Sequence, residues 1–421
     1  MTRDARSIGK MPYRRRSDGL SAIERNQMRK LLDLAVNFMN ILGNLPAAAT
    51  RAITIVVITA LMARVAQMRT TYWAPIPDID TTNYDRDVNS FEKDKCWNFF
   101  RFRKEDLPRL IVLLEIPPFL ILKGRKNGKV SGAFAFLILC YRLRYPGTLS
   151  DNLGEFGCDY SKLGKIFNCC LDYLYNLHKD KVLCNIEWYA DRFDMYHTAI
   201  TNKLLRLPAF NNALPIQLSN LIGFIDGTGN AICRPDGADA IQNAFWNGYH
   251  HGHYLIWQGI TFPDGMLVLE PPFAGAHTDV TVWRDCRVRH ILERLMRARE
   301  AEVPPRPRYK LYADKIYNNC GLLTAAWSLR HGALQQWMTN QNFIMSKLRI
   351  AVEWTFNTLK NLFKFITFKP GQKLQESPIG KHTTIAGLLC NCYTTLYGDK
   401  HNDINVFDIL PPTLEDYLLN Q

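Results

Sequence analysis

The chain has 421 residues, 47% of them apolar, with 52 Lys+Arg against 39 Asp+Glu, a net charge of +13 and a pI near 9.2. That apolar content excludes a wholly disordered chain, and the basic balance points to an anionic partner, nucleic acid first among them. The eleven cysteines are scattered, odd in number and without a C-x-x-C pair, which argues against a disulfide scaffold or a zinc knuckle and fits a reducing compartment.

The first thirty residues hold nine Lys/Arg against three acids, including Arg14-Arg15-Arg16, and lack the apolar core of a secretory signal. They read as a basic arm, either disordered or used for nuclear import or DNA contact. The apolar stretch Ala52 to Ala63, bracketed by Arg51 and Arg64, spans only ~18 Å as a helix, short of a ~30 Å hydrocarbon core. A buried or pairing helix is expected there rather than a membrane segment.

From about Phe91 to Leu207 the pattern is helical. Leu163, Ile166, Phe167, Cys170, Leu171 and Leu174 form one apolar stripe, with Ser161 as the expected N-cap. The short capped helix "TLSDNLGEF" and the turn "GCDY" before it have helix-turn-helix proportions, which would present Lys162 and Lys165 to DNA. The same residues also suit a plain helical hairpin in a bundle.

After "LPAFNNALPIQLSN" the period changes to that of strands. "LIGFID" is the first, and "HYLIWQGITF" and "MLVLE" form a hairpin through "PDG". A helix is predicted from about Asp279 to Arg299, then a fourth strand "YKLYAD" after the Pro-rich "VPPRPR", then a helix from about Ser346 to Phe365. This order predicts an α/β fold with a mixed sheet, preceded by an all-helical, helix-turn-helix-like domain. The predicted divisions are a basic arm and helical segment over 1–90, the helical domain over 91–214, the α/β domain over 215–398, and a tail over 399–421.

In an RNase H-like arrangement of these elements the first strand is central, the fourth lies parallel beside it, and the hairpin lies on the other side. Asp226 and Asp314, at the ends of those two strands, then come side by side at a topological switch point. Two carboxylates so close repel unless a cation lies between them. On the last helix, at 100° per residue, Arg349, Glu353, Lys360 and Lys364 fall within about 60° of one another. Leu348, Val352, Phe356, Leu359 and Phe363 fill the adjoining arc, so Glu353 is expected to project from the margin toward the strand ends. Lys360 and Lys364, with Arg349, would flank the same cleft within reach of a phosphate backbone, the alternative being a plain i, i+4 pair of Arg349 with Glu353. Asp279 opens the helix after the hairpin, where an acid suits the helix N-terminus as well as a metal.

Carboxylates without cysteine ligands favour Mg²⁺ or Mn²⁺, a pair of which assists in-line attack on a phosphodiester. His251 and His253 in "YHHGHY" are expected on one face of a strand, near the cleft and available to DNA rather than to zinc. Neither a G-x-S-x-G elbow nor a G-x-x-x-x-G-K-[ST] loop occurs, which argues against serine hydrolase and P-loop chemistry.

Five stretches in order, "GFIDGT", "QNAFWNGYHHGHYLIWQGITFPDG", "GAHTD", "LYADKIY" and "MSKLRIAVEWTFNTLKNLF", resemble the PIF/Harbinger superfamily of DDE transposases and their nuclease-like relatives. The tail "GLLCNCYTTLYG" and the upstream "YRLRYPGTLSDNLGEFG" also look like that family, so the resemblance spans about Cys96 to Gly398. Departures are small: the histidine of the second motif stands one place early, at His277, and Ala313 precedes Asp314 where relatives often carry glycine. The resemblance implies a transposase-type, divalent-metal-dependent DNA endonuclease, with Asp226, Asp279, Asp314 and Glu353 as catalytic and metal-binding residues. Which of Asp279 and Asp314 completes the triad stays open. It further implies a separate Myb-like DNA-binding partner; a nuclear location is expected as well, and a homo-oligomer is one option among oligomeric states that the sequence leaves open. The alternatives are a domesticated DNA-binding scaffold that does not cut, and a host nuclease acting on another nucleic acid.

Overall fold

The computed structural model describes residues 88–122, 128–156, 158, 160–207, 214–317, 319–329, 332–398 and 407–419. The basic arm and the apolar stretch at 52–63 lie outside the described residues. No helix among those described is long and apolar enough to cross a membrane.

The N-terminal part is helical, as its periodicity predicts: α1 (Lys93–Phe100), α2 (Leu107–Leu113), α3 (Gly132–Arg144), α4 (Leu153–Phe156), α5 (Tyr160–His178) and α6 (Phe193–Leu205). A small antiparallel hairpin of β1 (Phe119–Leu122) and β2 (Gly128–Ser131) interrupts it. All six predicted stripe residues of α5 are buried. The helix begins at Tyr160, so Ser161 lies inside the first turn and is not the N-cap. It packs against α3 and β1, and also against α11 (Ile379–Tyr397) from the far end of the chain. One large buried cluster runs from Val88 to Leu418 and draws on both the helical part and the sheet.

The sheet contains β3 (Leu221–Ala231), β4 (Trp246–Asn247), β5 (Gly252–Thr261), β6 (Leu267–Leu269), β7 (Phe273–Ala274), β8 (Lys310–Ala313) and β9 (Leu323–Ala325), with a short helix α7 (Asp239–Phe245) between β3 and β4. Its main path is β4-β5-β3-β8-β9, and β6 and β7 also pair with β5. β3 is thus central, antiparallel to β5 and parallel to β8, as expected from the order of the elements. The short parallel edge strand β9 was not anticipated, because three residues are too few to show a period.

Three predicted boundaries change. β3 does not stop at Asp226: it pairs with β5 as far as Ala231, so "GTGNA" continues the strand. The helix expected over 279–299 is two, α8 (Asp279–Asp285) and α9 (Arg287–Glu300), separated by the extended Cys286. The buried Glu270 carboxylate accepts from the N–H groups of Arg287 at 3.0 Å and Val288 at 3.1 Å, supplying the acceptors that the first turn of α9 lacks. α10 (Gln336–Leu362) starts ten residues before the predicted Ser346 and ends at Leu362, which leaves Lys364 in a following 3₁₀ turn. α12 (Leu414–Leu419) closes the described chain.

Candidate active site

β3 changes character at Asp226. Leu221 to Ile225 are all buried, whereas Asp226 to Gly229 are partly exposed. The parallel register pairs Phe224 with Tyr312 of β8. Two residues further along, Asp226 stands abreast of Asp314, the residue just past the end of β8 at Ala313. The two acids expected from the strand order therefore lie on neighbouring strand ends.

Asp279 reaches them from α8. Thr278, not Asp279, is the N-cap: its hydroxyl accepts from Thr281 N while the Thr281 side chain accepts from Thr278 N. Asp279 is thereby released from capping, and its carboxylate lies against the backbone of β3. A Cβ built on Gly227 would sit 2.2 Å from Asp279 Oδ1, so the absence of a side chain at 227 is what admits this carboxylate.

Two of the acids, Asp226 and Asp279, are shifted by their surroundings. Burial pushes the Asp226 carboxyl up from 3.8 to about 6; the Arg349 guanidinium and the Gly227 N–H oppose this, while Asp279 and Asp314 add to it. Burial also raises Asp279, with Asp314 contributing in the same direction and His250 against it.

The cation at the centre is Arg349. α10 lies across β3 and β5, drawn close because Gly259, the cross-strand partner of Asp226, leaves room for the Phe356 ring; a Cβ there would lie 2.6 Å from it. The predicted apolar arc of Leu348, Val352, Phe356, Leu359 and Phe363 is buried. Arg349 then faces the strand ends, its Nη1 donating to Asp226 Oδ2 at 2.8 Å and its Nη2 to Glu353 Oε1 at 2.6 Å. Glu353 thus joins the acids through Arg349.

Among the described residues no three His, Cys, Asp or Glu side chains are grouped closely enough to hold a metal ion. The donor chemistry still fits a hard divalent cation: the acids are all oxygen donors, they raise one another's affinity for positive charge, and a guanidinium already answers that need for two of them.

The residues expected to meet DNA have different surroundings. Lys360 is partly buried, donating from Nζ to Thr228 Oγ1 at 2.5 Å and to the Gly229 carbonyl at 3.3 Å, so it braces α10 on β3. Lys364 and Lys165 are exposed, Lys162 is partly buried, and neither Lys162 nor Lys165 lies on the elements that carry the acids. His251 and His253 do not share a strand face: His251 sits in the β4–β5 turn with φ 50°, while His253 lies on β5 opposite Trp246. Arg349, expected to contact phosphate, is bound to carboxylates instead.

Two residues at the site escaped sequence reasoning. Tyr317 is buried, its hydroxyl accepting from Gln258 Nε2 at 2.9 Å, and its acidity is suppressed by burial and by the charges of Asp279 and Asp226. Its N–H donates to the Asp314 carbonyl at 3.1 Å, a turn that the spacing "DKIY" is compatible with but does not announce. Gly227 is the second. A glycine beside an acid reads as a turn, whereas here it serves an acid from another element.

No curated protein and no solved structure matches the chain. Residues 225–391, a stretch containing all four acids and Arg349, match the model of a family described as DDE superfamily endonuclease. That match suggests a transposase-like nuclease with DNA as the implied substrate, in a superfamily whose members generally use divalent metals.

Proposed function

We propose that the protein is a transposase-type DNA endonuclease of the PIF/Harbinger branch, with an RNase H-like catalytic domain over about 215–398. Asp226, Asp314 and Glu353 form its core carboxylate set, with Asp279 as a fourth ligand. The observation that carries the reading is that Asp279 and Asp314, from α8 and the end of β8, lie near enough to act electrically on Asp226 of β3, which Arg349 joins to Glu353.

Mg²⁺ or Mn²⁺ held by these carboxylates would supply Lewis acidity at the scissile phosphate and a more acidic attacking water or 3′-hydroxyl. The protein's own contribution is to orient the acids. Gly227 gives Asp279 its position, the Gly227 N–H donates to Asp226 Oδ1 at 2.9 Å, and Lys315 N donates to Asp314 Oδ1 at 2.6 Å. Arg349 balances Asp226 and Glu353. Exposed cations such as Lys165 and Lys364 suit the phosphate backbone. Action on DNA in the nucleus, a Myb-like partner and self-association belong to the same reading.

The test is incubation of the full chain with end-labelled DNA and Mg²⁺ or Mn²⁺, alone and with nuclear extract. Nicking that requires the metal and disappears in Asp226→Asn and Glu353→Gln supports the reading; nicking that survives both substitutions refutes the site. One observation favours a second reading, a DNA-binding scaffold that does not cut: Arg349 satisfies Asp226 and Glu353 without any metal. That reading expects DNA binding with no nicking under any of these conditions.

A further inference from the structure

Beside the acids stands a group of aromatic side chains that the proposed chemistry does not use. β4 and β5 form a short hairpin, Trp246 pairing with His253 and Asn247 with Gly252. Trp246 and Tyr249 are large rings on an exposed surface, 44% and 87% accessible. His250 stacks on Tyr254, centroids 4.7 Å apart and planes 27° apart, and Tyr249 meets His250 edge-on at 4.9 Å. Such a cluster is costly to leave in water unless something covers it.

The hairpin is tied to the segment that leads into α8. Asn247 Nδ2 donates to Gly275 O at 2.9 Å, Ala276 N donates to Ala244 O at 3.0 Å, and His250 N donates to Asn247 Oδ1 at 2.9 Å. Gly275 and Ala276 lead directly to Asp279. On the other side Tyr254 presses on β3, since a Cβ on Gly229 would sit 2.9 Å from its ring. His250 is close enough to act electrically on Asp279. The rings are thus fixed relative to Asp226 and Asp279 rather than carried on a free loop. Positive charge flanks them as well: the ring of His253 meets that of Trp246 at 5.3 Å, Ile232 N donates to the His253 carbonyl at 2.9 Å two residues before Arg234, and Cys233 Sγ donates to the Lys369 carbonyl at 3.1 Å.

Flat exposed rings bordered by cations, rigidly placed next to a carboxylate cluster, match the chemistry of a nucleotide that has left the duplex stack: a π-face for the base and cations for its phosphate. We propose that Trp246, Tyr249, His250 and Tyr254 form a shelf on which an unpaired base of the DNA strand stacks next to the carboxylates, with Arg234 and Lys369 toward its backbone. The shelf deepens the nuclease reading and rests on it. A duplex alone offers these rings no exposed base face, so the shelf selects frayed, flipped or overhanging ends.

The test is fluorescence anisotropy of the full chain with a fluorescein-labelled duplex carrying a short thymine overhang, and with the same duplex blunt-ended. Wild type is expected to prefer the overhang. The double substitution Tyr249→Ala with His250→Ala should weaken overhang binding at least about fivefold, the lower end for loss of one base stack. Blunt-duplex affinity should stay within about twofold, which also reports intact folding, and Tyr249→Phe, which keeps the ring, should retain the preference. Equal weakening of both duplexes, or no change in either, overturns the shelf while leaving the nuclease reading standing. Failure of wild type to bind either duplex overturns both.

Discussion

Replacing Asp226 with Asn should make the protein more stable at neutral pH while removing its activity. Asp226 lies among Asp279 and Asp314 with only part of its charge answered by Arg349, and its carboxyl is raised from 3.8 to about 6. The rise from 3.8 to about 6 corresponds to about 3 kcal/mol favouring the uncharged form, an upper bound for what an uncharged isostere recovers. The carboxyl keeps its proton in the folded chain after the unfolded chain has lost it. Folding stability therefore declines as pH rises from near 3.8 through about 6, and the deficit is complete above that. Asn imitates the protonated form and still offers Arg349 an acceptor. Urea unfolding of wild type and Asp226→Asn in EDTA should give curves that nearly coincide near pH 4 and separate by up to about 3 kcal/mol near pH 7.5, the variant being the more stable. Mn²⁺ should narrow the gap, because ionised Asp226 gains a partner that Asn does not. A variant less stable than wild type at pH 7.5, or a gap that does not vary with pH, would refute the electrostatic account of this site.

Gly227→Ala places a methyl 2.2 Å from Asp279 Oδ1; cleavage should fall on the order of 100-fold while stability changes by less than about 1 kcal/mol, because a carboxylate swings aside more easily than backbone moves. Equal loss in both assays would contradict that. Arg349→Gln removes the cation shared by Asp226 and Glu353, and should cost about 1.5–3 kcal/mol in EDTA and increase the thermal shift caused by Mn²⁺. Identical Mn²⁺ shifts in both proteins would show that Arg349 and the metal do not compete for the acids. Glu270→Ala leaves the N–H groups of Arg287 and Val288 without their carboxylate, and about 1–3 kcal/mol of stability should be lost in urea unfolding, with a smaller loss for Glu270→Gln.

The sheet was legible where long apolar runs forced it. "LIGFI" before Asp226 reads as a buried strand because five consecutive apolar residues need cover on both faces, and β3 is central. The helical stripe of α5 and the packed arc of α10 were legible for the corresponding helical reason. What escaped depended on partners distant in sequence. The strand after Asp226 contains two glycines that read as a turn, and only pairing with β5 keeps them extended. The break at Cys286 needs Glu270, from another element, to terminate one helix and start the next.

Arg349 shows the same limit from the side of the site. Helical arithmetic places it on one stripe with Glu353, which is correct, yet a sequence does not say whether a cation next to a carboxylate faces water, phosphate or a second carboxylate. Strand order brought Asp226 and Asp314 together before any coordinates. The contact of Asp279 with Gly227 required them.

The central claim is that Asp226, Asp279 and Asp314, with Glu353, make a metal centre. Anomalous difference density from a crystal of the protein soaked in Mn²⁺ tests it most directly. The account predicts a peak between the Asp226 and Asp314 carboxylates, with Arg349 withdrawn from Asp226. A crystal saturated with Mn²⁺ in which Arg349 still bridges Asp226 and Glu353, and no peak lies among the acids, would contradict it.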